Sequence, residues 1–112
     1  MLYDINYVLR GGAGSPVDGD LARAATLLSD RSGVAMELWT TEPGLQFYDG
    51  HLIDMPVPGL AGEPYRIHAG LCLEPQRFPD GPNWAHFPPT ILEPGAVSRQ
   101  VSELRFGSLP GF

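Results

Sequence analysis

The run YRIHAGLCLEPQ, Tyr65 to Gln76, decides how the rest of the chain is read. Successive side chains of a strand point to opposite sides. Counting by two puts Tyr65, Ile67, Ala69, Leu71 and Leu73 on one face, and Arg66, His68, Gly70, Cys72, Glu74 and Gln76 on the other. The first set is a core face. The second carries a guanidinium, an imidazole, a gap at Gly70, a carboxylate and an amide, too polar a mixture for a dry interior. It fits the wall of a polar site, and it also fits the plain solvated side of a sheet. Glu74 ends the apolar run and is followed by a proline-rich loop. A carboxylate held at a strand end can act as a general base when a substrate hydroxyl comes within hydrogen-bond reach. The competing reading is a solvated glutamate paired with Arg66 or Arg77.

Outward from this run, the chain reads as short strands between turns. Ile5, Tyr7 and Leu9 alternate with Asp4, Asn6 and Val8, a strand that ends at RGGAGSP, residues 10–16. That stretch lacks the Gly-Lys-Ser/Thr ending of a phosphate loop and reads as a flexible connection. Residues 21–28 are ambiguous. Leu21, Ala24, Ala25 and Leu28 have helical spacing behind a possible Asp20 cap, yet the segment leads through SDRSG into the alternating run VAMELWTT. A hairpin turning at Gly33 would make 21–28 its first strand. GLQFYDG, 44–50, is a further strand, DMPVPGLAGEP, 54–64, a loop, and 97–106 a closing strand.

Bulk composition agrees. At 112 residues the chain fits a single domain, 1–112, and its 14 glycines and 12 prolines, spread along the sequence, favour short strands and turns over long helices. A formal charge of -6 with seven Lys and Arg provides no basic footprint for nucleic acid or anionic membrane. A neutral ligand fits better. With no targeting segment or membrane-length apolar run, the chain reads as soluble and cytoplasmic. Cys72 is the sole cysteine, flanked by leucines, and reads as an inert core residue. His51, His68 and His86 show no metal-ligand spacing, so no metal is expected. Trp39, Phe47, Tyr48, Phe78, Trp84 and Phe87 fall near strand ends or loops, where rings can stack on a sugar's C–H face, although scattered aromatics also build cores.

Three segments carry a resemblance to a known family. TTEPGLQFYDG (40–50), GLCLEPQRFPDGPN (70–83) and the closing VSELRF (101–106) resemble the C-terminal portion of the aldose 1-epimerases, or galactose mutarotases. The family pattern there is Thr-x-x-Pro-Gly-x-Gln-x-Tyr, then Leu-Glu-x-Gln-x-x-Pro-Asp, then a strand ending in Phe. YDINYVL (3–9) resembles the family's Asp-His-Asn-Phe/Tyr-Val-Leu strand, with Ile5 where histidine is usual.

The resemblance implies an all-β fold, part of the galactose mutarotase-like antiparallel β-supersandwich, with its C-terminal part only. It thereby assigns residues 21–28 to a strand. It implies an isomerase that interconverts the α and β anomers of a hexose such as galactose or glucose, without a cofactor. A base removes the anomeric hydroxyl proton, an acid protonates the ring oxygen, and the opened sugar recloses as the other anomer. Glu74 matches the family's base, Asp4 an aspartate that binds sugar hydroxyls, and Gln46 and Gln76 recurrent motif positions with a supporting role in substrate binding. The family's acid is a histidine outside the matching segments, and none of His51, His68 or His86 occupies its place. The partners implied are a hexose and either further copies of this chain or a companion chain completing the fold. A non-catalytic carbohydrate-binding or interaction module is the alternative.

Overall fold

The computed structural model describes residues 1–11 and 15–109. Seven strands build it: β1 Asp4–Val8, β2 Val17–Asp18, β3 Leu21–Leu28, β4 Val34–Thr40, β5 Gly44–Tyr48, β6 Cys72–Gln76 and β7 Ser102–Ser108. The only helical element among the described residues is one 3-10 turn, Gly81–Asn83. All pairings are antiparallel, in two sheets ordered β1-β5-β6 and β2-β3-β4-β7. The architecture is all-β, as the sequence implies, and forms part of a sandwich.

Residues 21–28 take the strand alternative. Eight residues are too few to sustain an isolated helix, whereas β3 pairs with β4 from Ala22↔Thr40 to Leu28↔Ala35, with a bulge between Arg23 and Ala25 that breaks strict alternation. Gly33, at φ +70°, closes the hairpin, and the Ser29 amide donates to the Val34 carbonyl at 3.0 Å. Thr41–Pro43 then carries the chain from β4 in one sheet to β5 in the other.

The core is small: Ala35, Leu38, Trp39 and Thr40 of β4 and Leu45 of β5 are its buried side chains. Glu37 lies beside it, ion-paired to Arg23 and accepting a 2.8 Å hydrogen bond from the Trp39 indole. Arg105 covers the other side of that indole, its guanidinium carbon 4.2 Å from the ring centroid. The apolar face of the first sheet, with Tyr7, Leu45, Phe47 and Leu73, opposes β3 across a cavity of about 610 Å³.

Two expectations are corrected. The run from Tyr65 does not form one long strand: only Cys72–Gln76 is extended into the ladder. Residues before it turn, with the Ala69 amide donating to Arg66 and the His68 amide to Gly50. His68 has a positive φ of 61°, which ends any regular alternation there. The closing strand begins at Ser102 rather than 97, after a turn in which the Ala96 amide donates to Glu93 and Gly95 adopts φ +83°. Part of the glycine-rich connection, 12–14, lies outside the described residues.

Candidate active site on the polar face of the first sheet

Strand register brings the candidate residues together. β1, β5 and β6 lie side by side, with Asp4 opposite Tyr48 and Asn6 opposite Gln46. On the other flank of β5, Gly44 is opposite Gln76, Gln46 opposite Glu74 and Tyr48 opposite Cys72. Residues directly opposite one another share a face. One face therefore holds Asp4, Asn6, Gln46, Tyr48, Cys72, Glu74 and Gln76, while Ile5, Tyr7, Leu45, Phe47 and Leu73 occupy the reverse.

A relay of amides orders this face. The Gln76 side-chain nitrogen donates to the Gln46 amide oxygen at 3.3 Å and to Asn6 Oδ1 at 3.1 Å. The Gln46 nitrogen in turn donates to Asp4 Oδ1 at 2.7 Å. Each glutamine is thus oriented, and Asp4 keeps its second oxygen available. Glu74 stands outside the relay. It is exposed, lines none of the described cavities and has no side-chain partner among the described residues. Arg77, one of its two possible ion-pair partners, donates instead to the Pro89 carbonyl. Chemically, the face offers an acceptor-only carboxylate flanked by oriented amide donors and acceptors, a set suited to hydroxyl-rich ligands.

Gly44 keeps this face open. A methyl group there would meet Asn6 Oδ1 at 2.8 Å, the Gln76 carbonyl oxygen at 3.0 Å and Phe78 at 3.1 Å. Phe78 therefore borders the polar face. The other aromatics divide: Trp39 is core, Phe47 faces the cavity, and Trp84 and Phe87 pack in the 77–101 connection, where Phe87 meets Phe78 edge-on at 5.0 Å. Cys72 corrects another expectation. It is exposed because it shares the parity of Glu74, not that of its leucine neighbours.

At the end of β5 lies a cluster that the sequence reading did not single out. His51 Nδ1–H donates to Asp49 Oδ1 at 2.7 Å, and the Tyr3 amide donates to Oδ2 at 3.2 Å. Burial alone pulls the Asp49 carboxyl upward, but hydrogen bonds from the His51 ring and the Tyr3 and His51 amides outweigh it and hold the group below its ordinary value. His68 Nδ1–H donates to the Asp49 carbonyl at 2.9 Å. These contacts tie the 50–70 loop to the strand and so fix the entry of β6 that carries Glu74. The spacing Asp49-Gly50-His51 was the available signal, an aspartate that accepts from groups two residues on. Asn6 was legible too, since it alternates with Asp4. Asp80 plays a similar local part beyond β6, where hydrogen bonds from Asn83 and Trp84 hold its carboxyl below the ordinary value.

Two antiparallel sheets, one with an apolar inner face and a polar outer face bearing an ordered carboxylate and amide set, define an all-β sandwich unit. A family model for aldose 1-epimerase matches residues 1–105, and the chain belongs to that family. It is 39% identical to the galactose mutarotase of Homo sapiens over 104 residues, which are 93% of this chain and 29% of that protein. It is 43% identical to the galactose mutarotase of Bos taurus over 75 residues, 67% of this chain and 22% of that protein. To the aldose 1-epimerase of Escherichia coli (strain K12) it is 34% identical over 85 residues, 74% of this chain and 24% of that protein. The chain thus spans less than a third of the length of these relatives.

Proposed function

We propose that the chain provides the base-bearing part of an aldose 1-epimerase that interconverts the anomers of a hexose such as galactose or glucose. The observation that supports this most is the shared face of Asp4, Gln46, Glu74 and Gln76 across three adjacent strands. In this reading Glu74 removes the proton from the anomeric hydroxyl, and its carboxylate, which accepts no hydrogen bond among the described residues, has its oxygens ready to accept. Asp4, Gln46 and Gln76 bind and orient the sugar hydroxyls, with Phe78 against a C–H face of the ring.

The proton for the ring oxygen comes from outside this set. His51 and His68 are engaged with Asp49, and His86 packs edge-on against Phe87 at 4.6 Å. A companion chain completing the fold supplies that acid and closes a cleft over Glu74. Without it, ring opening lacks one of two proton transfers and runs slower by a factor of about a hundred or more.

Polarimetry of freshly dissolved α-glucose or α-galactose tests the reading. Acceleration over buffer that Glu74→Gln abolishes is the expected result for the completed enzyme. Binding of the sugar with no acceleration under any assembly favours the non-catalytic binding module instead. Full activity in Glu74→Gln would remove the base assignment.

A further inference from the structure

The free edge of the second sheet is a self-complementary strand. We infer that β7 is a pairing surface for a second copy of this chain, joined antiparallel about a two-fold axis through Leu104.

β7 leaves half of its backbone groups unused by β4. Its one neighbour among the described residues is β4, in unbroken register from Val34↔Ser108 to Thr40↔Ser102. Just beyond the two ends of this ladder, the Thr41 amide donates to the Val101 carbonyl at 3.1 Å and the Leu109 amide donates to the Gly33 carbonyl at 2.9 Å. Backbone direction alternates along a strand. Residues 101, 103, 105, 107 and 109 therefore turn their amides and carbonyls toward β4, and Ser102, Leu104, Phe106 and Ser108 turn theirs outward. An uninterrupted edge of this kind, without proline or bulge, is a template for another strand.

Charge decides which register a second copy takes. An antiparallel pair centred on Leu104 sets Leu104 opposite its own symmetry mate and Ser102 opposite Phe106. Those are all outward-facing positions, so each opposed pair exchanges two backbone hydrogen bonds. The same register sets Glu103 of each copy opposite Arg105 of the other, twice over. Centring on Arg105 would oppose like charges, which is unfavourable, and centring on Phe106 would leave Glu103 and Arg105 opposite uncharged residues. Within one chain Glu103 already accepts from Arg105 at 2.7 Å, on the opposite face from Leu104. Backbone geometry admits each of these registers, since each opposes outward positions with outward positions, and the charge pattern selects the one centred on Leu104. Leu104 and Phe106, 53% and 67% exposed, lie on one side of the extended sheet, where each Phe106 reaches diagonally across to the partner's Leu104. The inference is independent of the sugar chemistry.

Sedimentation equilibrium of the chain at physiological salt, up to about 0.5 mM because an edge contact is a small interface, reads the association directly. A dimer of twice the 12.1 kDa chain mass is expected. Glu103→Arg opposes like charges at both paired positions and is expected to weaken the dimer about tenfold or more. Leu104→Pro removes an outward donor while sparing the bonds to β4, and is expected to abolish association with the far-ultraviolet circular dichroism retained. Mixing Glu103→Arg with Arg105→Glu restores opposite charges at both positions and is expected to recover a heterodimer that neither variant forms alone. Three results would each overturn the inference: a monomer at every concentration, a dimer indifferent to Glu103→Arg and Leu104→Pro, or a mixture that fails to recover. A monomer that binds only an unrelated chain along β7 would likewise assign the edge to a different occupant.

Discussion

Replacing Gly50 by alanine probes how the 50–70 loop holds β6 in place. Gly50 sits at φ +76°, where a side chain costs about 1–2 kcal/mol. The new methyl group would stand 2.2 Å from the Gly70 carbonyl oxygen and 3.0 Å from Ile53 Cδ1. Gly70 is backbone and cannot turn aside, so the loop must shift by about 1 Å, and overpacking of this sort costs about 1–3 kcal/mol. The shift also stretches the 3.0 Å bond from the His68 amide to the Gly50 carbonyl, a loss of about 1 kcal/mol. The sum is about 3–6 kcal/mol. Gly62 is the control: it has φ +79° but open space around it, so Gly62→Ala should cost only the backbone share, about 1–2 kcal/mol. Urea unfolding of both variants measures the difference, and calorimetry should show Gly50→Ala melting about 10 °C or more below the parent. Two variants that unfold within about 0.5 kcal/mol of each other would rule out a steric clash at Gly70, because strain alone would then account for both.

Other perturbations separate core, charge and surface. Leu45→Ala, in the centre of the first sheet, should cost about 2–5 kcal/mol in chemical denaturation, the range of buried leucine truncations. The carboxyls of Glu37, Asp49 and Asp80 lie below their ordinary values of 4.5, 3.8 and 3.8. Such groups bind fewer protons folded than unfolded, so their stabilisation is complete above about pH 5 and is lost as pH falls through the depressed folded values. Melting temperature followed from neutral pH to pH 2 should fall below about pH 4.5, and Asp80→Asn should shrink that fall; an unchanged melting temperature would contradict it. Cys72 should react with a thiol reagent in the native state at the rate of an exposed cysteine, whereas reaction only after unfolding would return it to the core.

The strands that sequence pattern revealed are those whose alternation is complete within a few residues. Asp4–Val8, Val34–Thr40 and Gly44–Tyr48 are strands as expected, and parity within β6 already puts Glu74 and Gln76 on one side, whereas pairing with β5 and β1 brings Gln46 and Asp4 to that side. Residues 21–28 needed more, because their 3.6-residue spacing competes with strand pairing and the bulge at Arg23–Ala25 blurs the two-residue period. The alternation of 65–71 was misleading. Local turns close there, through His68 to Gly50 and Ala69 to Arg66, and no strand among the described residues lies alongside to extend the ladder. Cys72 shows the opposite error, in which leucine neighbours outweighed a parity count that already assigned it to the Glu74 face. The amide relay from Gln76 to Asp4 depends on register between strands 30 and 42 residues apart, a distance at which no local pattern speaks.

Side-chain amide signals of Gln46 and Gln76, followed by NMR during titration with galactose, report whether a sugar binds at the Glu74 face. Sugar bound at the Glu74 face should shift both signals together, and Glu74→Gln should weaken that binding while leaving the signals of the sugar-free protein near their parent positions. Galactose that leaves both amides unmoved, or that perturbs only the residues around the inner cavity such as Tyr7 and Leu73, would contradict binding at that face.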